Sequence, residues 1–413
     1  QGLLGARDLT LAPQVGGLVA QLSSRERMLA VLRYEEPDYV PLVFNSFGIE
    51  PPEHLRWSDD IEEARTWLSL GVDAWLTTGM PLVTHPDVRI REWEETPDGE
   101  RYPIIVKEYD TPAGPMRQEV YRTNDWSGED WPGHTAASTI RLFDDFNGPR
   151  YRRSPIVEEA DVERLRYLMQ PLDGSALDSF RHRIDTLAET ARDLGVLVVA
   201  QASIGTDGVI QLCGANQTLL MALEQPELFE SLLDVIHAWD RRNVEVLLDL
   251  PVDLIMRRGY YEGTSFWSPE LFRRHFAPRI RQLTEMAHHA DRFIGYTMSV
   301  GLMPLLDDVA DIGYDVHYLL DPIPNNVPID LHRVKSALDG KVAVIGGLNA
   351  PITLEQGSPA DIRGEVHAAV RALGPGGGLG LTAAEAIFAT TPWQSIERVI
   401  SAWKEVRDYP IVA

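Results

Sequence analysis

A single cysteine, Cys213, is the whole thiol content of the chain. One thiol forms no intramolecular disulfide and supplies no multi-thiolate metal site. Basic residues are scarce too: 38 Lys and Arg stand against 62 Asp and Glu, a formal charge of −24. A surface of that sign repels nucleic-acid phosphates and anionic lipid, so neither is an expected partner and any local cluster of arginines stands out. No apolar run approaches the roughly 20 residues of a membrane-spanning helix, and the first residues lack the basic start and apolar stretch of a secretory leader. A cytoplasmic protein is the expectation.

What is present is the composition of an ordinary globular protein, 44% hydrophobic over 413 residues, enough for one large core. After an N-terminal arm at 1–22, the stretch SSRERMLAVLRYEEPDYVPL offers a serine cap, a helix with Met28, Leu29 and Leu32 on one side, and a proline-bearing turn. Short apolar runs then alternate with helical patterns, and the runs end near Ser46, Gly79, Ser203, Gly259, Ser299, Asp321, Asn349 and Glu385. Strands alternating with helices in this way predict an α/β chain folded as a (β/α)8 TIM barrel, with 1–413 as one domain. A doubly wound open sheet is the competing architecture. The rhythm breaks at 87–153. There VRIREWEETPDGERYPIIVKEYDTPAGPMRQEVYR alternates apolar and polar residues around PDG and PAG turns, predicting an antiparallel β excursion of about three strands between barrel strands two and three. A long loop rich in Trp, Gly, Asp and Pro follows, with lid and scaffold as its two readings.

Sites in such barrels occupy the C-terminal strand ends, and RRGYYEG, directly after the apolar run VDLIM, loads one such end with polar chemistry. Successive strand residues face opposite ways, so one of Arg257 and Arg258 points into the mouth. A guanidinium fork there matches a carboxylate or phosphate; the alternative is ion pairing with nearby carboxylates. Tyr260 and Tyr261 can stack on a planar substrate and donate hydroxyls, and Glu262, if withdrawn from water, becomes a proton donor. The alternative for this loop is packing onto the helix that Ser268 and Pro269 begin. Asn45, Gln201, Asn349, Thr382 and Glu385 complete a ring of polar strand-end residues, either binding substrate or capping loops. His317 is a hydrogen-bonded core group or a catalyst; with Glu385 and Glu262 it would make a His and carboxylate metal set. The glycine run GPGGGLG precedes the eighth strand rather than opening a helix, so it predicts a turn and not a phosphate loop.

Four segments in order, SSRERMLAVLRYEEPDYVPL, SPELFRRHFAPRIRQL, YDVHYLLDP and DLHRVKSALDGKVAVIGGLNA, make the chain resemble the uroporphyrinogen decarboxylase superfamily. That superfamily also holds the methyltransferases of corrinoid-dependent methyl metabolism. The resemblance implies a TIM barrel and an enzyme, either a methyltransferase or a decarboxylase (lyase). Its thiol-acting methyltransferases hold zinc through a His-x-Cys pair and a further Cys, whereas this chain places Tyr296, Thr297 and Met298 at the first and TAAEA at the second. A zinc-thiolate site is therefore not expected. Tyr296 remains a candidate to reach a reacting oxygen, with Met298 as pocket wall. The superfamily's porphyrin-clamping Arg-Gln-Ala-Gly-Arg-Tyr segment reads FNSFGIEPPEH here.

Three functional readings follow. The first is methyl transfer from a small anionic, planar or methoxylated substrate to a corrinoid (cobalamin) on a partner protein docked over the mouth. In it Arg258 anchors a carboxylate and Glu262 or Tyr296 protonates the leaving oxygen. The second is decarboxylation, with an arginine and a tyrosine stabilising developing charge. The third is a barrel that binds a small molecule without transforming it. A homodimer is the candidate assembly.

Overall fold

The computed structural model describes residues 21–123, 140–145 and 147–412. Its strands in chain order are β1 (Ser46–Phe47), β2 (Trp75–Gly79), β3 (Arg89–Glu95), β4 (Ile104–Thr111), β5 (Gly114–Tyr121), β6 (Tyr151–Arg153), β7 (Leu197–Gln201), β8 (Leu254–Arg258), β9 (Phe293–Thr297), β10 (Val316–Leu320), β11 (Ala343–Asn349), β12 (Leu379–Ala384) and β13 (Ile387–Phe388). Seven run parallel in the order β2, β7, β8, β9, β10, β11, β12. The extended residues ahead of β1 close the row into a ring. On the β12 side the Val43 amide donates to the Leu381 carbonyl at 3.0 Å and the Leu381 amide to the Pro41 carbonyl at 2.7 Å. On the other side the Asp73 amide, at the foot of β2, donates to the Leu42 carbonyl at 2.8 Å. Pro41 has no amide to offer, so this first strand meets β12 at one isolated bridge, Leu42 with Leu381, rather than along a ladder. The ring is the (β/α)8 barrel that the sequence predicts, its strand ends falling within a residue or two of the predicted ones.

Alternation along each strand sorts side chains to two faces. Leu197 and Val199, Leu254 and Met256, Val316 and Tyr318, and Ala343 and Ile345 fill the lumen. The helix Ser24–Leu32 closes the N-terminal end, adding Met28, Leu29, Val31 and Leu32 to that cluster. It begins at the predicted cap, where the Glu26 amide donates to Ser23 Oγ at 3.2 Å and the Ser23 amide to Glu26 Oε2 at 2.8 Å. Intervening strand residues such as Val198, Ile255, Ile294 and Val344 pack outward with the helices. On β8 this parity carries Arg258 toward the mouth and Arg257 into the helix layer.

The excursion after β2 is a four-stranded antiparallel sheet in the order β3, β4, β5, β6. The sequence reading stops at about three strands because β6, at three residues, is too short to show alternation. It joins β5 from beyond the long loop. Residues 1–20 of the N-terminal arm, and residues 124–139 and 146 of that loop, lie outside the described residues. Among the described residues no helix is long and apolar enough to cross a membrane.

Candidate functional site

A cavity of about 1150 Å³ opens at the C-terminal ends of the barrel strands, and Asn45, Gln201, Arg258, Tyr260, Tyr261 and Glu385 all line it. A narrow continuation of about 60 Å³ descends into the lumen past Tyr260, Trp75, Tyr318 and Met256. Barrel closure joins residues far apart in the chain: Asn45 Nδ2 donates to the Glu385 carbonyl at 3.0 Å. Ser299 Oγ donates to Glu385 Oε1 at 2.8 Å.

Arg258 projects into the cavity with 29% of its side chain exposed. Its Nε donates to Asp207 Oδ2 at 3.3 Å, and the same carboxylate accepts the amides of Tyr260 at 3.3 Å and Tyr261 at 3.2 Å. Burial pushes the Asp207 carboxyl up to about 6, against the pull of Arg258. Among the described residues the two terminal nitrogens of Arg258 have no hydrogen-bond partner; Asp145 Oδ2 stands 3.8 Å from one of them. The guanidinium lies 5.4 Å from the centre of the Tyr260 ring. Burial raises the Tyr260 hydroxyl above its ordinary range although Arg258 opposes it, and burial, then Asp145 and Asp207, do the same to Tyr261. Both stay protonated in neutral water. The Tyr261 hydroxyl donates to Asp145 Oδ1 at 3.2 Å, and its ring meets Phe266 edge-on at 5.4 Å.

The other predicted residues stand behind this wall. Arg257 meets Glu262 through two bonds, of 2.6 and 2.9 Å. Glu262 also accepts the Tyr296 hydroxyl at 2.6 Å, the Thr206 amide at 3.0 Å and the Thr206 hydroxyl at 2.7 Å. Glu262 is 0% exposed and Tyr296 1%. Burial alone would raise the Glu262 carboxyl, but Arg257, backed by Tyr296 and Thr206, holds it below the usual range. That is the reverse of the raised carboxyl on which a proton-donor role depends. Ion pairing, the alternative for the two arginines, is displayed by both: Arg257 with Glu262, and Arg258 with Asp207 at 3.3 Å and Asp145 at 3.8 Å. His317 is fully buried, with Nδ1 2.9 Å from the Tyr314 hydroxyl and Nε2 without a partner among the described residues. Burial lowers its imidazole to about 4, so the ring is neutral. His317 pairs in register with Tyr296, and Tyr296 with Arg257, so the three form one row on the outer face of β8, β9 and β10. Asn349 caps a turn: Nδ2 donates to Asp321 Oδ1 at 2.9 Å and Oδ1 accepts the Ile352 amide at 2.8 Å.

Among the described residues no three His, Cys, Asp or Glu side chains gather as a metal site. The predicted set is divided, with His317 on the outer face, Glu262 in its ion pair and Glu385 at the mouth. A zinc-thiolate centre does not fit either. Cys213 is 4% exposed within the helix Gly205–Cys213, its thiol pushed up to about 12 by burial. Tyr296 and Met298 both pack in the outer cluster. A protonated thiol and a buried thioether do not hold zinc.

Arg141, Phe143, Asp144 and Asp145 also line the cavity, and no strand-end argument finds them because they belong to the inserted segment. Asp145 Oδ1 accepts Gln211 Nε2 at 2.9 Å, which ties that segment to the barrel. Their one mark in the sequence is an aperiodic run of aromatic and acidic residues just before Gly148.

Residues 140–406 match the family model described as uroporphyrinogen decarboxylase (URO-D). No curated protein matches the chain. Among solved structures, a methyltransferase from Methanosarcina mazei superposes on 93% of this chain and 99% of its own, with a TM-score of 0.55 and 15% identity. That likeness shows the fold. A D-psicose 3-epimerase from Clostridium cellulolyticum H10 covers 60% of this chain and 91% of its own at a TM-score of 0.33 and 11% identity, too distant to carry an argument.

Proposed function

The chain belongs to the uroporphyrinogen decarboxylase family, and from that premise we propose an enzyme that takes a methyl group from a small carboxylate-bearing substrate in the barrel mouth and passes it to a corrinoid (cobalamin) on a partner protein. The observation that carries this reading is the Arg258 fork. In a chain of formal charge −24, a mouth-facing guanidinium with both terminal nitrogens unbonded among the described residues favours an anionic group. The Tyr260, Tyr261 and Phe266 rings beside it favour a flat or apolar body on that anion. The rim suits a docked partner: Phe47 is 39% exposed and its ring lies 6.0 Å from that of Phe388.

A corrinoid in its Co(I) state supplies the nucleophile for the methyl group. The remaining work falls to this chain's own side chains. Arg258 anchors the carboxylate, held in aim by Asp207. Tyr260, which borders both the mouth and the lumen, offers its hydroxyl to the methyl-bearing end. The aromatic wall excludes water from the reacting group. Glu262, Arg257 and Tyr296 act from behind by fixing the loop that carries the two tyrosines.

The test is incubation of the protein with Co(I) cobalamin and carboxylated methyl donors, methoxylated aromatic acids first. Growth of methylcobalamin absorbance is the expected result, and its absence with every donor overturns the reading. Decarboxylation is the second reading, favoured by the closeness of Arg258 to the Tyr260 ring, a pair able to steady charge as carbon dioxide departs. Carbon dioxide released from a carboxylated aromatic or pyrrole without corrinoid would put it in place of methyl transfer. A ligand that saturates the mouth and returns unchanged would mark a binding barrel.

A further inference from the structure

The leaving group of the methyl donor is what the mouth constrains most. A methoxy donor departs as an alkoxide or phenolate, which needs a proton or a Lewis acid at the oxygen. Glu262 and Asp207 are both 0% exposed and are engaged by Arg257 and Arg258. The mouth tyrosines hold their protons more tightly than free phenols, so they give hydrogen bonds to a departing phenolate rather than protons.

Glu385 has the opposite character. It is exposed to the cavity, accepts only the Ser299 hydroxyl through its carboxylate, and has no cationic partner among the described residues. It lies close enough to Tyr260 and Tyr261 for its charge to act on both hydroxyls. Phe266 stands edge-on to Tyr261 at 5.4 Å in the same wall. A carboxylate without a counter-cation among the described residues, in a cavity that electron-rich rings also line, is an environment for a cation that has no N–H to hydrogen-bond, because ring faces attract a methylated ammonium and the carboxylate adds charge. The Arg258 fork serves a carboxylate in the same cavity.

We propose that the methyl donor is a betaine, a molecule carrying both a carboxylate and a quaternary ammonium, with its carboxylate on Arg258 and its ammonium among Glu385, Tyr260 and Tyr261. This deepens the methyl-transfer reading and rests on it. In the step, the C–N bond of one N-methyl group breaks and its electron pair stays on nitrogen, leaving a neutral tertiary amine. The methyl carbon bonds to the electron pair of the Co(I) acceptor. No proton moves, which suits a mouth whose buried acids face away from it.

The test uses the intact protein with γ-butyrobetaine and with 5,5-dimethylhexanoate, in which a tert-butyl group replaces the trimethylammonium at nearly the same shape. Calorimetry is expected to show the betaine binding at least fivefold tighter than its uncharged-headed analogue. Glu385→Gln, at an exposed position, is expected to bring that ratio close to one, and Arg258→Gln to weaken both ligands by the same factor. Equal affinity for the two ligands in the native protein overturns the proposal. Methylcobalamin formed from 4-methoxybenzoate but not from the betaine overturns it too, and leaves the methyl-transfer reading standing. A betaine preference with no methyl transfer from any donor overturns that reading and supports the ammonium site by itself.

Discussion

Replacing Arg258 with Gln keeps most of the side chain's length and removes its fork. Since a hydrogen bond to a charged group is worth about 1.5–3 kcal/mol, KM for a carboxylate substrate is expected to rise roughly ten- to a hundredfold with kcat little changed, as steady-state kinetics would show. A second single-residue prediction concerns Asp240, 1% exposed, whose two oxygens accept the Ile204 and Gly205 amides at 3.0 and 3.1 Å. Burial lifts its carboxyl from 3.8 to about 7, against the pull of Arg257. Between those values the folded chain holds a proton that the unfolded chain has released. This group's contribution to stability therefore falls as pH rises through that window. Asp240→Asn removes the dependence, so the loss of urea-unfolding stability between pH 4.5 and pH 8 should shrink by about 1–3 kcal/mol relative to the native chain. Identical pH profiles for the two proteins would show that Asp240 carries no proton in the folded state. At this scale the sequence left a choice that structure resolves: strand alternation says that one of two adjacent arginines faces the mouth, but not which, because the phase of β8 is set by what Leu254 and Met256 touch in the lumen.

The loop from Gly259 to Gly263 is held from both sides, by Asp207 on its amides and by Arg257, Tyr296 and Thr206 on Glu262. Glu262→Gln leaves Arg257 buried without its charge partner and is expected to cost about 3–5 kcal/mol in urea unfolding. Tyr296→Phe removes one bond to a charged acceptor and should cost about 1.5–3 kcal/mol. A Tyr296→Phe cost near zero would mean that the loop is fixed by other contacts. Gly263 has its own reason: a Cβ there would come 1.9 Å from the Val300 carbonyl. Most strands of the barrel were legible because they bury both faces in apolar neighbours and end in turn residues, as β7, β10 and β11 do. The inserted wall was not, since Arg141 to Asp145 have no periodicity and reach the mouth through tertiary contacts such as the hydrogen bonds from Gln211 and Tyr261 to Asp145. Glu262 and His317 misled for a related reason. Glu262 lies past the end of β8 and only its partners, Thr206 among them, show that it faces away from the cavity, while His317, second in β10, is carried to the outer face beside Tyr314 by the phase of that strand.

The barrel as a whole is closed by its least regular strand. Residues 40–43 reach β12 through one bridge, Leu42 with Leu381, and the foot of β2 through the Asp73 amide, secured by the Trp403 indole donating to the Val40 carbonyl at 2.7 Å. Below them Arg27, 2% exposed, bonds Asp73 at 2.5 Å and Asp38 at 2.6 Å. Native-state hydrogen exchange is expected to find the amides of Val43 and Asp73 less protected than those inside the ladders of β9, β10 and β11, because local opening starts where cross-strand bonds are fewest. Equal protection around the ring would show that the seam opens only with the whole fold. The two adjacent arginines of β8 bear on assembly as well. Threading that strand one place out of step would move each guanidinium about 3.3 Å along the barrel and exchange their faces, turning Arg257 away from Glu262 and Arg258 away from Asp207. Ile255 would then have to fill the gap shaped by Met256. The doublet thus acts as a proofreading mark: a misthreaded chain would announce itself through two stranded charges before the mouth had formed.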